Sequence, residues 1–282
     1  MKIAICFFSY EKDAELLNVA LRGVKRLREK NPDDVFDVMV CDDAAAPMGR
    51  DAVPDWVEYV QTDFDRRGNL NGLECVQGML QVYAGLVERG GYDWVIKMDS
   101  DTYINSLEWL REVDARSTAH VGTCYREDYG SGSCYALSAA GIAGLQVLMA
   151  EEAVQRRVDI AKCEDRVFCR LSRMTGLAVD CRCNEQNEIV PRMLYQDWLV
   201  AEFAPLELLA GAAAVCFKRC MWHTGVETYA SDRAGAEVRM AAYADMMDAQ
   251  DAAEAAAGEA AVEDEEVAEA LGWCGEEGAS FE

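Results

Sequence analysis

Basic residues are scarce in this chain of 282 residues: 27 Lys and Arg stand against 51 Asp and Glu, a formal net charge of -24. That balance argues against a nucleic-acid backbone as partner. It also repels anionic substrates unless a metal or local arginines reverse the field at the site. Long apolar runs are missing too. No stretch of about 18 apolar residues occurs, so no membrane-spanning segment is expected. The N-terminus MKIAICFFSY is apolar but short and lacks the small-residue cleavage region of a secretory signal. It reads as a first strand, and a cytoplasmic location is the expectation. Histidine is limited to His120 and His223.

The 12 cysteines are scattered rather than packed into a short secreted frame. Several fall in predicted strands and helices (Cys6, Cys41, Cys75, Cys169), as reduced core residues do. Cys181-x-Cys183 and Cys216-x3-Cys220 are conceivable zinc half-sites, but neither has finger spacing.

Ile3 to Phe8 is a continuous apolar run, the mark of a strand buried on both faces. Leu17, Ala20, Leu21, Val24 and Leu27 follow at helical spacing, and Asn31-Pro32-Asp33-Asp34 breaks the helix. Val35 to Cys41 is a second strand ending in Asp42-Asp43, and Trp56 to Val60 a short third. A helix carrying Leu73, Val76, Leu80, Tyr83 and Val87 runs to Gly90-Gly91. Trp94 to Met98 is a further buried strand, ending in Asp99-Ser100-Asp101. Alternating strands and helices predict βαβ units and a largely parallel sheet. Ligands bind beyond the carboxyl ends of such strands, and Asp42, Asp43, Asp99 and Asp101 all fall there.

Further on, Tyr129 to Tyr135 reads as a glycine-rich bend leading into Ala136-Leu137-Ser138 and an Ala-rich helix. Cys163-Glu164-Asp165 opens a helix with Val167, Phe168, Leu171 and Met174 on one face. Cys181 to Glu207 is irregular, suited to acceptor-binding loops, and Ala213 to Cys220 is a strand delivering Trp222-His223. The organisation expected is a domain over 1–225 and an acidic, Ala-rich tail over 226–282, helical or disordered, read as a solvated helix that frays. No basic residue occurs from Asp245 onward.

Two carboxylates two residues apart at a strand end suit a hard cation, magnesium or manganese, whose other positions go to water and substrate phosphate oxygens. Such a metal neutralises a departing diphosphate. An isolated D-x-D is equally at home as a pair of solvated turn residues. Arg66, Arg67 and Gly68 precede a helix, where cations and free N–H groups can touch phosphate; pairing with surface acids is the plainer alternative. Glu164 and Asp165 complement a helix dipole where they stand.

The run Trp94-Val95-Ile96-Lys97-Met98-Asp99-Ser100-Asp101-Thr102-Tyr103-Ile104 resembles the strand and metal motif of GT-A-fold glycosyltransferases, above all the fringe and β-1,3-galactosyltransferase group. Two more segments resemble that group in the same order. Tyr129 to Ser138 is similar to its C-S-G-G-G-Y-V-L-S segment. Cys163-Glu164-Asp165-Arg166-Val167-Phe168 is similar to its E-D-V-Y/F segment, with Arg166 inserted. The resemblance spans about residues 1–225.

It implies a GT-A-like, Rossmann-type mixed and mostly parallel sheet flanked by helices. It further implies a metal-dependent, inverting transfer of a sugar from a nucleotide-sugar, a UDP-sugar by expectation, to a hydroxyl of a glycan, protein or small molecule. Asp165 would then be the general base, and Asp99, Asp101 and His223 the ligands of manganese or magnesium. Asp42 and Asp43 would meet the base and ribose of the donor, with Arg66 or Arg67 and Asp99 on its phosphate side. His120 is expected to be structural.

Two other readings stand beside this one. A GT-A domain that binds nucleotide or glycan without catalysis would keep the same carboxylates. A haloacid-dehalogenase-type phosphatase also uses D-x-D after an apolar strand. Its motif normally lies on the first strand with Thr or Val four positions after the first Asp, where Tyr103 stands here.

Overall fold

The computed structural model describes residues 1–64, 72–126, 129–161, 164–181, 221–223 and 233–270. Its centre is a seven-stranded sheet in the order β3-β2-β1-β4-β7-β6-β8. The strands are β1 (Lys2–Ser9), β2 (Val35–Asp42), β3 (Glu58–Gln61), β4 (Trp94–Met98), β6 (Thr118–Arg126), β7 (Tyr129–Ser138) and β8 (Ala178–Cys181). β7 alone runs against the rest, pairing antiparallel with β4 and β6, while β1 with β2 and β4, β2 with β3, and β6 with β8 are parallel. A separate antiparallel pair joins β5 (Thr102–Ile104) to β9 (Met221–His223). The expected mixed, mostly parallel sheet flanked by helices is the architecture observed.

Strand alternation divides the core between the two faces of the sheet. Ile3, Ile5 and Phe7 of β1 and Trp94, Ile96 and Met98 of β4 pack with α1 (Ala14–Lys30). Ala4, Cys6, Phe8 and Val95 face α2 (Gly72–Gly90), α4 (Ala139–Met149), α5 (Glu152–Ala161) and α6 (Glu164–Met174). A short helix, α3 (Glu108–Arg111), buries Trp109 and Leu110. Each fully buried large apolar side chain contributes about 1.5–3 kcal/mol, and β1 and β4 are covered on both faces. Their apolar runs follow from that.

Three expectations need correction. Tyr129 to Tyr135 is the start of strand β7, not a bend; Gly130 pairs with Cys124 within the ladder. Trp56 stands before β3 and is 38% exposed. Met174, expected on the apolar face of α6, is 51% exposed at the helix end, while Val167, Phe168 and Leu171 are buried.

The C-terminal helix α7 (Arg233–Ala270) docks part of its first half on the domain instead of lying free in solvent. Ala236, Met240, Tyr243, Ala244 and Met247 are buried in the same core as α1 and β5. Tyr243 meets Tyr103 edge-on at 5.4 Å and its hydroxyl accepts from Asn105 Nδ2 at 2.7 Å. Charge follows the same seam. Arg22 of α1 donates to Asp245 and Asp248, and Arg26 and Lys30 share Asp251. Basic residues four apart on α1 therefore face acids three apart on α7, each spacing being one helical turn.

No described helix is long and apolar enough to cross a membrane. Cys6, Cys41, Cys75, Cys134 and Cys169 are buried free thiols. Cys183, Cys216, Cys220 and the strand expected at 213–220 lie outside the described residues.

Candidate active site

The carboxyl ends of β1, β2 and β4 and the entry of the reversed strand β7 meet at one edge of the sheet. Asp99-Ser100-Asp101 forms a tight turn there, closed by the Thr102 amide donating to the Asp99 carbonyl at 3.1 Å. The Ser133 carbonyl at the entry of β7 accepts from the Asp99 amide at 2.9 Å and from Thr102 Oγ1 at 3.1 Å. Ser100 Oγ donates to Ser9 Oγ at 2.8 Å, tying the turn to the end of β1. Asp101 is 3% exposed. The two acids therefore lie on a turn anchored to two neighbouring strands, not on a solvated one.

The residue that gathers the motifs is Lys97. It shares the face of β4 with Val95, toward α6, and is buried. Its ammonium donates to Asp99 Oδ1 at 2.5 Å and to the Gly132 carbonyl, and lies 3.4 Å from Glu164 Oε1. It also stands over the Tyr135 ring at 5.8 Å. Asp99, the glycine segment and the Glu-Asp pair, far apart in sequence, thus meet around one cation. Sequence reasoning passed over Lys97. Its signal was visible: a single charge inside an otherwise apolar strand, and a lysine is almost never fully buried unless paired.

Glu164 and Asp165 begin α6 and are both buried. Asp165 Oδ1 accepts from the Arg166 amide at 2.6 Å, as an acid at a helix N-terminus does. Its Oδ2 lies against Gly132, where a Cβ would sit 3.0 Å from it. A side chain there would have to push the carboxylate back by a few tenths of an ångström.

Asp13, in a 3-10 turn after β1, joins the group and was not foreseen. Arg233 at the start of α7 donates to it at 2.5 Å and to the Tyr10 hydroxyl at 2.9 Å. Burial nonetheless pushes the Asp13 carboxyl up to about 6; Arg233 opposes the rise, and the charges of Asp101 and Asp99 add to it. Asp13, Asp99, Asp101, Glu164 and Asp165 are at most partly exposed; Lys97 pairs with Asp99 and Glu164, and Arg233 with Asp13.

Asp42 and Asp43 sit at the end of β2 as expected, and their oxygens serve the following loop. Asp42 accepts from the Met48 and Gly49 amides, each at 3.0 Å, and from the Tyr59 hydroxyl at 2.7 Å. Asp43 Oδ1 accepts from the Ala45 and Ala46 amides at 2.8 and 3.0 Å. They shape the wall beside Ser9. Arg66 and Arg67 lie outside the described residues. The backbone of His223 pairs with Thr102, so β9 sets that residue alongside the end of the acidic turn.

His120 is buried and stacks on Tyr135 at 5.3 Å, and burial lowers its pKa to about 3. It is a neutral core residue, as expected.

A divalent metal fits this edge by its donor set. Asp99 and Asp101 offer hard oxygens on a fixed turn, and magnesium-type sites commonly use one or two carboxylates with substrate phosphates and water. Among the described residues no group of three or more His, Cys, Asp or Glu side chains forms a ready cage.

No protein-family model matches the chain, and no curated protein matches it. Among solved structures, it is similar to the galactosyltransferase LgtC in complex with donor and acceptor sugar analogues. That similarity has 12% identity and a TM-score of 0.45, over 78% of this chain and 86% of the other. A Drosophila β-1,4-galactosyltransferase 7 in complex with manganese, UDP-Gal and xylobiose is similar at 13% identity and a TM-score of 0.38, over 66% of each chain. A glycosyltransferase involved in glycosylation of the major capsid of PBCV-1 is similar at 9% identity and a TM-score of 0.35. It covers 53% of this chain and 66% of its own. These are distant likenesses of fold.

Proposed function

We propose that this protein is a GT-A-type glycosyltransferase that transfers a sugar from a nucleotide-sugar donor, a UDP-sugar by preference, to a hydroxyl acceptor. The observation that carries the reading is the convergence on Lys97 of the three segments that resemble the fringe and β-1,3-galactosyltransferase group. Distant in sequence, they surround one sheet edge at the carboxyl ends of parallel strands, where α/β proteins bind ligands. The sheet is mixed with a single reversed strand, in keeping with the same resemblance.

In this reading Asp99 and Asp101, with His223 as a third ligand, hold manganese or magnesium. When bound, the metal supplies positive charge to the diphosphate as it leaves. Asp165 accepts the proton of the acceptor hydroxyl. That oxygen forms the new bond to the anomeric carbon, the bond from that carbon to the phosphate oxygen breaks, and its electron pair leaves with the nucleoside diphosphate. Attack opposite the leaving group makes the transfer inverting. Asp42 and Asp43 would meet the base and ribose of the nucleotide, and Arg66 or Arg67 would serve its phosphates.

The test is a panel of UDP-galactose, UDP-glucose and UDP-N-acetylglucosamine with manganese, read by thermal shift and by UDP release. One donor is expected to stabilise the protein in the presence of manganese and to yield UDP, and chelation is expected to abolish both effects. Stabilisation without any UDP release over a range of sugar acceptors would favour a non-catalytic binding module. No stabilisation by any nucleotide sugar would overturn the reading.

A further inference from the structure

Building on that reading, we propose that Lys97 is a positioning residue that fixes the metal-side carboxylate Asp99 and the base-bearing start of α6 at a set separation. Burying an ammonium costs several kcal/mol even after relaxation. A methionine would fill the same place in β4 without that cost, so packing alone does not account for a lysine. Nor does sheet pairing. β4 and β7 are already joined by their ladder and by the Asp99 amide on the Ser133 carbonyl. The link that Lys97 adds is to α6, through Glu164 at 3.4 Å.

An ammonium has three donors and no preferred plane, which suits a point charge held among Asp99, the Gly132 carbonyl and Glu164. Without that charge Asp99 and Glu164 would lose the cation they share. The start of α6 would withdraw, carrying Asp165 away from Gly132. The donor phosphates and the acceptor hydroxyl would then lose their common frame. Lys97 touches neither reacting atom; it acts through Asp99 and Glu164.

The test compares wild type, Lys97→Met, Glu164→Gln and the double variant, using the donor that the wild type turns over. Two quantities are read: steady-state UDP release, and calorimetric binding of UDP with manganese. Lys97→Met is expected to bind UDP with manganese within about threefold of wild type, because losing the ammonium frees Asp99 for the metal but removes one positive charge near the diphosphate, and the two effects oppose each other. Its kcat is expected to fall about 100-fold, the order that a misplacement of about 1 Å causes. Glu164→Gln is expected to lose about tenfold in kcat with donor KM unchanged, and the double variant to be no slower than Lys97→Met.

Wild-type kcat in Lys97→Met, equal loss of binding and kcat, or additive effects in the double variant would each overturn the positioning role. Should Lys97→Met not fold, Glu164→Gln decides, and an unchanged kcat there overturns the role. A wild type that neither binds UDP with manganese nor releases UDP removes the functional reading and this role with it. Turnover by wild type and by the variants alike removes the role alone.

Discussion

Gly132 shows how a missing side chain shapes the site: its carbonyl takes the Lys97 ammonium, and its bare Cα lets Asp165 approach. Gly132→Ala would press a methyl onto Asp165 Oδ2, so kcat is expected to fall about tenfold with the melting temperature little changed. Rate and thermal unfolding, measured together, check this. Two other buried groups give stability opposite pH slopes. His120 has a folded pKa near 3, so the unfolded chain binds the extra proton and stability falls as pH drops from about 6.5 toward 3. Asp13 has its pKa raised to about 6. The folded chain there holds the extra proton, and stability falls as pH rises from about 4 to 6. Each slope approaches ~1.4 kcal/mol per pH unit. Urea unfolding across this range, without metal, should therefore show Asp13→Asn steepening the acid loss and His120→Phe removing it. The acidic turn and the Glu-Asp pair were legible in the sequence because short motifs keep their residues adjacent. Lys97 and Asp13 were not, because their partners come from other elements.

Helix α7 is the element whose role composition concealed. Its acidity suggested a solvated tail, yet Met240, Tyr243, Ala244 and Met247 follow the i, i+3, i+4, i+7 spacing of a buried face. Met240→Ala is expected to cost about 2–5 kcal/mol in chemical unfolding. A loss below about 0.5 kcal/mol would mean that the helix does not dock. Of the ion pairs along the seam, Arg22 with Asp245 is the more exposed and contributes little, while Arg26 with Asp251 is mostly buried; added salt should weaken the first more than the second. At its first residue α7 also reaches the site. Arg233→Ala removes the cation on Asp13 and is expected to raise the Asp13 pKa further, shifting its stability slope to higher pH. The strands β1 and β4 were legible almost to the residue because burial on both faces writes a nearly continuous apolar run; β2 was legible from its apolar half, Val38 to Cys41. β7 was not, because the close approach of Lys97 and Asp165 to its glycines gives it the look of a turn.

For the molecule as a whole, an acidic protein that takes an anionic donor, as proposed, needs positive charge at one place. In the proposed reading a divalent metal at Asp99 and Asp101 supplies it, so nucleotide binding would depend on the metal. The most direct measurement is calorimetric titration of UDP into wild type, Asp99→Asn and Asp101→Asn, with manganese and with chelator. Wild type should bind with manganese and fail without it, and each variant should bind more than about tenfold more weakly. Equal affinity with and without manganese, or variants that bind as wild type does, would contradict the account.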